Sequence, residues 1–328
     1  MNLAILFGGN SLEHEISLVT AFSIKKKLYP LDIIMLYVDY DNNLYDVSKN
    51  KLDDFKKNKK LKKTRFVNNG IKGKRIDCAI LACHGENSED GVFAGILRFY
   101  NINFVGPDIL ASSVSMDKWL TYLLLSGNNI NVVPTISYSF DDYLKQKEIP
   151  WFPCIVKPNY GGSSIGIFTC DNYDDFIKKY RLTSNKYTNY VIQPYFLNAI
   201  EYNMAFCSCG ASKLERINKK NKFFSFEEKY ISSFENVHIK VDEDSSIFKN
   251  VGSEVYKLLK CRGVIRIDFF KIDDKIYVNE INPIPGSLGL YLFDDAKKVL
   301  VDEINLAVNK NKVKYHNSGY LIKSDIQK

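Results

Sequence analysis

The clearest chemistry in the chain lies in two short segments near its end. Arg266-Ile267-Asp268 and Glu280-Ile281-Asn282 each set two polar residues two positions apart. Along a strand, that spacing points both side chains to one face. VIRIDFF, a turn at Asp273-Asp274, and KIYVNEIN read as an antiparallel hairpin. If the strands pair, Arg266, Asp268, Glu280 and Asn282 line one polar pocket beside the apolar Val264, Ile265, Ile267, Phe269, Val278 and Ile281. Two carboxylates and an amide oxygen make a hard oxygen set suited to magnesium, with ATP phosphates completing the shell. The guanidinium balances charge developing on an oxygen during group transfer. The competing reading is a solvent-facing hairpin whose polar residues merely alternate.

A second pattern is Lys157 followed by Gly161-Gly162-Ser163-Ser164-Ile165-Gly166. Glycines let backbone N–H groups approach anionic oxygens, the serines add donors, and a lysine at a strand end supplies a point charge for phosphate. No Gly-Lys-Ser/Thr follows, so this is not a P-loop; alone, it also fits a plain β-hairpin. Third, Glu13-His14-Glu15 opens a helix, and His84-Gly85 precedes Glu89-Asp90-Gly91. Helix starts after parallel strands are where ligands bind in such sheets, although acidic residues there also serve the helix dipole. His14 and His84 lack a third ligand in sequence reach, which argues against a histidine metal site.

These groups need a scaffold. Leu3–Phe7, Leu31–Val38 and Cys78–Cys83 are strand candidates, the first ending at Gly8-Gly9. Asn10 and Glu13 have capping-box spacing before a helical stripe that includes Ile16, Leu18, Val19, Phe22 and Ile24. A helix from about Val92 to Tyr100 continues the alternation, so roughly the first 105 residues read as a parallel, helix-covered sheet. Leu110–Leu125 reads as one helix, Pro134 opens a new region, and strands are expected at Tyr190–Phe196 and Glu201–Cys207. The lysine-rich stretch Asn218–Val241 reads as a functional loop, and a last helix runs from about Asp294 to Val308.

At 328 residues, with 45% hydrophobic and 25% charged residues, the chain has the balance of a soluble protein of two or three domains. No apolar run reaches transmembrane length, and no basic region precedes the first apolar stretch, so neither a membrane span nor a signal peptide is expected. Seven scattered cysteines without a C-x-x-C pair read as buried thiols of an intracellular protein. The net charge of +7 owes much to KLDDFKKNKKLKKTR between Lys51 and Arg65. That segment lacks interleaved aromatics and reads as a solvated surface rather than a nucleic-acid site.

LFGGNSLEHEISL, LACHGENSEDG, SMDKWLT, IVKPNYGGSSIG, EEKY and IRIDFF…YVNEINPIPG occur in the order found in D-alanine–D-alanine ligases of the ATP-grasp superfamily. The chain resembles that family from about residue 3 to residue 286. The resemblance implies an α/β, three-domain ATP-grasp fold: an N-terminal parallel sheet domain over 1–108, a central subdomain over 109–187 and a C-terminal catalytic domain over 188–328. ATP would lie between the latter two α+β domains, with Mg2+ at the C-terminal one. It further implies that Lys118 and Lys157 hold ATP phosphates, that Gln193 sits in the adenine hinge where a glutamate is usual, and that Glu201 reads the ribose. Asp268, Glu280 and Asn282 resemble the magnesium ligands. Glu15 matches the residue holding the first amino acid's ammonium, linked to Ser163 and to Tyr230 of a mobile loop. Arg266 and the Gly286 backbone N–H resemble the oxyanion donors, His84 falls in the first-substrate pocket, and Lys229 sits near the second carboxylate. One position departs from the pattern: Tyr291 stands where the family has a serine that anchors the second substrate, and Ser287 is the available substitute.

The expected activity is ATP-dependent ligation of two D-alanines through an acyl phosphate, supplying a cytoplasmic step of peptidoglycan (cell-wall) precursor synthesis. The alternatives are a related ligase with another amine or hydroxy-acid acceptor, and a non-catalytic ATP-binding regulatory protein. The expected partners are small amino-acid substrates, not nucleic acid or membrane, with a homodimer left open.

Overall fold

The computed structural model of the chain describes residues 1–57, 59–66, 70–71, 74–183, 189–218, 238–241 and 244–309. LAILFG forms β1 (Leu3–Gly8), with all six residues buried. A run that is apolar on both faces belongs inside a helix-covered parallel sheet. β1 joins β2 (Ile33–Val38), β3 (Leu44–Asp46), β4 (Thr64–Arg65), β7 (Cys78–Leu81) and β8 (Asn103–Val105) in the order β4-β3-β2-β1-β7-β8. The centre is parallel and the β3–β4 edge antiparallel. The short strands β5 (Gly70–Ile71) and β6 (Lys74–Arg75) pair with each other. At Gly8 the backbone turns with φ +93, and a Cβ there would lie 2.2 Å from Val38 O, so the turn into the first helix requires glycine.

A second, antiparallel sheet runs β11-β10-β12-β9, from β9 (Ile136–Ser139), β10 (Cys154–Pro158), β11 (Phe168–Cys170) and β12 (Asn189–Pro194). The third runs β16-β15-β13-β17-β18, from β13 (Ile200–Cys207), β15 (Glu215–Ile217), β16 (His238–Lys240), β17 (Ile265–Ile272) and β18 (Lys275–Asn282), with β14 (Gly210–Ala211) on β13. Each sheet has its own apolar cluster.

The helices are α1 (His14–Lys27), α2 (Leu52–Lys56), α3 (Val92–Phe99), α4 (Ile109–Met116), α5 (Lys118–Gly127), α6 (Phe140–Leu144), α7 (Tyr173–Thr183), α8 (Ser246–Leu258) and α9 (Ala296–Val308). Three sequence expectations change here. The helix expected over Leu110–Leu125 breaks at Asp117, whose extended backbone and side chain, accepting from Leu120 N at 2.8 Å, start α5. That break puts Lys118 at the first position of a helix. The Asn10/Glu13 capping box does not form: Glu13 is the residue before α1 and makes no side-chain cap bond. Finally, α9 does not pack within the 188–328 unit alone: Glu303 accepts from the Ser208 and Gly263 N–H groups of that unit, while Val299, Leu300 and Ile304 join the first core against β7 and β8. All seven cysteines are free; Cys209 alone is exposed, an exception to the buried-thiol expectation. Among the described residues no helix is long and apolar enough to cross a membrane.

Candidate active site

The β17–β18 register pairs Arg266 with Asn282 and Asp268 with Glu280, so all four polar side chains share one face. Ile265, Ile267 and Phe269 are buried on the other. Arg266 grips Asp268 bidentately, Nε to Oδ1 at 2.6 Å and a terminal nitrogen to Oδ2 at 3.0 Å. Asn282 Nδ2 also donates to Asp268 Oδ2, at 3.1 Å, which leaves its amide oxygen available to another partner. Asn203 pairs with both Asp268 and Glu215, extending the row to Glu215–Asn203–Asp268–Glu280 across four strands. Glu201 stands two residues before Asn203 on the same face. Burial raises the Asp268 carboxyl pKa; Arg266 opposes this, and the Glu280 and Glu201 charges add to the rise. Such crowding of hard oxygen donors suits a divalent cation.

The register shifts just beyond Asp268, leaving Asn279 as the extra residue of a β-bulge. A bulge re-aims its residue, and Asn279 Oδ1 accepts from Lys157 Nζ at 3.1 Å. Lys118 Nζ donates to Gly161 O at 2.6 Å and lies 3.7 Å from Glu280 Oε1. Two lysines from separate elements therefore meet at neighbouring positions of β18. Gln193 is buried on β12, and its Nε2 donates to Thr135 Oγ1 at 2.9 Å. The Thr135 hydroxyl itself donates to Val133 O at 2.7 Å, so toward Gln193 it only accepts. This fixes the amide, and Gln193 Oε1 is a buried acceptor without a hydrogen-bond partner among the described residues.

The remaining candidates meet at a seam between the first sheet, the Gly/Ser loop and the turn after Pro285. Here the structure corrects one assignment. Ser163 donates a hydrogen bond to Glu13 Oε1, whereas Glu15 is exposed on α1. The reason is helical period: Glu13 shares a face with the buried Ser17, Thr20, Ala21 and Ile24, while Glu15 lies on the side of the exposed Val19. That stripe was the available signal for choosing between the two glutamates. Gly85, with φ +75, makes room for Glu13: a Cβ there would lie 3.1 Å from Glu13 Oε2.

His84, expected to face substrate, is 2% exposed. Its Nδ1 meets Ile284 O at 2.8 Å and its Nε2 meets Thr20 Oγ1 at 2.9 Å, so both ring nitrogens are taken by protein. Glu89 Oε1 lies 3.7 Å from Nδ1. Burial raises the Glu89 carboxyl pKa; His84 opposes this, and Glu13 and Glu280 reinforce it. A Cβ built on Gly286 would meet no heavy atom within 4 Å, so space lies open beside that residue. Ser287 adopts φ 51, its N–H donates to Thr20 Oγ1 at 3.1 Å, and its hydroxyl makes no hydrogen bond to a described residue. Tyr291 donates its hydroxyl to Glu215 Oε2 at 3.3 Å, a carboxylate that also accepts from Asn203. It is thus turned toward β15. Lys229 and Tyr230 lie outside the described residues. Besides Glu13, the sequence reading missed Thr20 and Asn279, since one faces the site only through α1 packing and the other only through a bulge.

Comparison with known proteins finds similar chains over nearly the whole length. The family model "D-ala D-ala ligase N-terminus" matches residues 2–107, and "D-ala D-ala ligase C-terminus" matches residues 128–298. A D-alanine--D-alanine ligase of Thermosipho melanesiensis is 35% identical over 96% of this chain and 95% of its own length. One from Campylobacter jejuni is 35% identical over 93% of this chain and 94% of its own. The crystal structure of the Helicobacter pylori D-alanine-D-alanine ligase superposes with a TM-score of 0.77 at 31% identity, covering 95% of this chain and 100% of that one. VanG D-Ala:D-Ser ligase from Enterococcus faecalis has a TM-score of 0.78 over 94% of this chain and 100% of its own, but at 24% identity it supports the fold alone.

Proposed function

This chain belongs to the D-alanine–D-alanine ligase family, with its ATP-grasp fold, and we propose that the site described above joins two D-alanines with ATP and Mg2+ for peptidoglycan precursor synthesis. The carboxylate of the first D-alanine attacks the γ-phosphorus of ATP, giving an acyl phosphate and ADP. The second amine, as the free base, attacks the acyl carbon, and phosphate leaves. The observation that carries this reading is the convergence of Lys118 and Lys157 on Glu280 and Asn279, beside the Arg266–Asp268–Asn282 cluster. Cationic groups for phosphates thus adjoin hard oxygens for a metal, which is the arrangement phosphoryl transfer requires.

Asp268, Glu280 and the Asn282 amide oxygen would hold Mg2+, which when bound neutralises charge on the transferring phosphoryl group. Lys118 and Lys157 hold phosphate oxygens. The Gln193 Oε1 acceptor takes the exocyclic amine of adenine, and Glu201 binds the ribose. Glu13, oriented by Ser163, holds the ammonium of the first D-alanine. Arg266 and the Gly286 N–H face the oxygen that becomes negative when the amine adds. With the Tyr291 hydroxyl committed to Glu215, the Ser287 hydroxyl is the group that anchors the acceptor's carboxylate. ATP and free amino acids as substrates put the reaction in the cytoplasm.

Incubation with D-alanine, ATP and Mg2+ should yield D-alanyl-D-alanine and phosphate in equal amounts, followed by mass spectrometry and phosphate release. D-Serine and D-lactate offered as rival acceptors should give less product. Phosphate release only with another acceptor would move the product assignment, and none with any acceptor would overturn the ligase reading.

A further inference from the structure

The turn that carries Gly286 is held at both ends by groups from the first sheet's unit. On one side Ile284 O accepts from His84 Nδ1 at 2.8 Å; on the other, Ser287 N–H donates to Thr20 Oγ1 at 3.1 Å. Thr20 and His84 meet each other at 2.9 Å, which closes a ring Ile284–His84–Thr20–Ser287. Proton positions in the ring follow from its fixed members. Ile284 O only accepts, so Nδ1 carries the ring proton and, in neutral imidazole, Nε2 accepts from Thr20. The Ser287 amide only donates, so the lone pairs of Thr20 receive it while its proton goes to Nε2. Thr20 is 1% exposed and His84 2%, so the hydroxyl and the ring that make these bonds are buried. Ser287 and Leu288 have left-handed backbones, φ 51 and 52, a conformation that external bonds must hold in place.

We propose that Thr20 is a positioning residue: acting through this ring, it fixes the Gly286 backbone N–H for the acyl-transfer step. The inference rests on the ligase reading for its catalytic part. Its structural part, a turn pinned by one buried hydroxyl, stands on the bonds alone. Removing an oxyanion donor outright costs about 10²–10³-fold in kcat, and loosening the turn that carries one costs less, on the order of 10-fold.

The test compares wild type with Thr20→Val, which keeps shape but loses both bonds, and with Thr20→Ser, which keeps the hydroxyl. Thr20→Val should lower kcat for dipeptide about 10-fold or more, leave the KM for ATP unchanged, and speed deuterium exchange at the Ser287 amide. Thr20→Ser should restore both readouts. Should wild type make no dipeptide, the ligase reading fails while the exchange measurement still decides the pinning. Unchanged exchange and kcat in Thr20→Val, or equal losses in Thr20→Ser, would overturn the assignment. Should Thr20→Val not fold, a Thr20→Ala variant replaces it, and the same outcomes decide.

Discussion

The β17–β18 hairpin and the seam around Glu13 are both polar sites set into apolar surroundings, yet they are built in opposite ways. The hairpin takes four side chains from one pair of adjacent strands, and its register alone puts them on a common face. At the seam, Glu13, Thr20, His84, Ser163 and Ser287 come from four stretches of chain, with partners as much as 267 residues apart. Strand period is a local property, so the hairpin could be read from the order of its residues. The seam depends on how α1, the Gly/Ser loop and the turn after Pro285 pack, which no local pattern encodes. The group set against the carboxylate also differs: Asp268 is gripped bidentately by Arg266, whereas Glu89 has the His84 ring at 3.7 Å.

The largest effect should come from the hairpin. Asp268→Asn keeps the shape and the Arg266 neighbour but removes an anionic oxygen from the proposed metal set. Turnover should fall by about 10³-fold or more, roughly 4 kcal/mol of barrier, with circular dichroism unchanged. Glu280→Gln should act in the same direction, because Glu280 both completes the row and faces Lys118. Near-wild-type turnover in either variant would mean that the polar face of the hairpin is only a solvated surface.

An intermediate effect should separate the two glutamates of the seam. Glu13→Gln should raise the KM for D-alanine or lower kcat/KM by about 10²-fold, since a charge-assisted bond to a buried ammonium contributes roughly 1.5–3 kcal/mol. Glu15→Gln, on the exposed side of α1, should stay within about 2-fold of wild type, as surface substitutions do. The reverse pattern would restore the assignment made from motif matching alone. The glutamates differ by two positions, and motif matching selects Glu15, so the choice between them needs more than the motif. The stripe of Ser17, Thr20, Ala21 and Ile24 makes it, once the helix is known to begin at His14. Other parts of the fold were hidden for similar reasons. The break at Asp117 needs the side-chain cap to be seen, and the bulge at Asn279 appears only when the two strands are aligned. Tyr291 was visible as a departure, but its engagement with Glu215 depends on β15, a strand not foreseen.

The smallest effect should be on stability, and it probes the charge imbalance of the seam. Glu89 sits beside His84 with Glu13 and Glu280 nearby, and burial is the main reason its carboxyl pKa lies above the ordinary range. A raised folded-state value means that the folded protein binds this proton more tightly than the unfolded chain does. The contribution is therefore present in full below the ordinary glutamate range and is lost as pH rises through the raised value. Glu89→Gln supplies a neutral group of the same shape at every pH. Its melting temperature relative to wild type should accordingly be highest at neutral pH and should decline as the solution is acidified into the carboxylate range. Taking the difference between the two proteins cancels the titration of the shared carboxylates that do not interact with Glu89. A difference independent of pH would mean that the neighbours of Glu89 offset the effect of its burial. A variant less stable at neutral pH would mean that the ionised carboxylate holds His84, and with it the turn at Gly286, more firmly than burial opposes it.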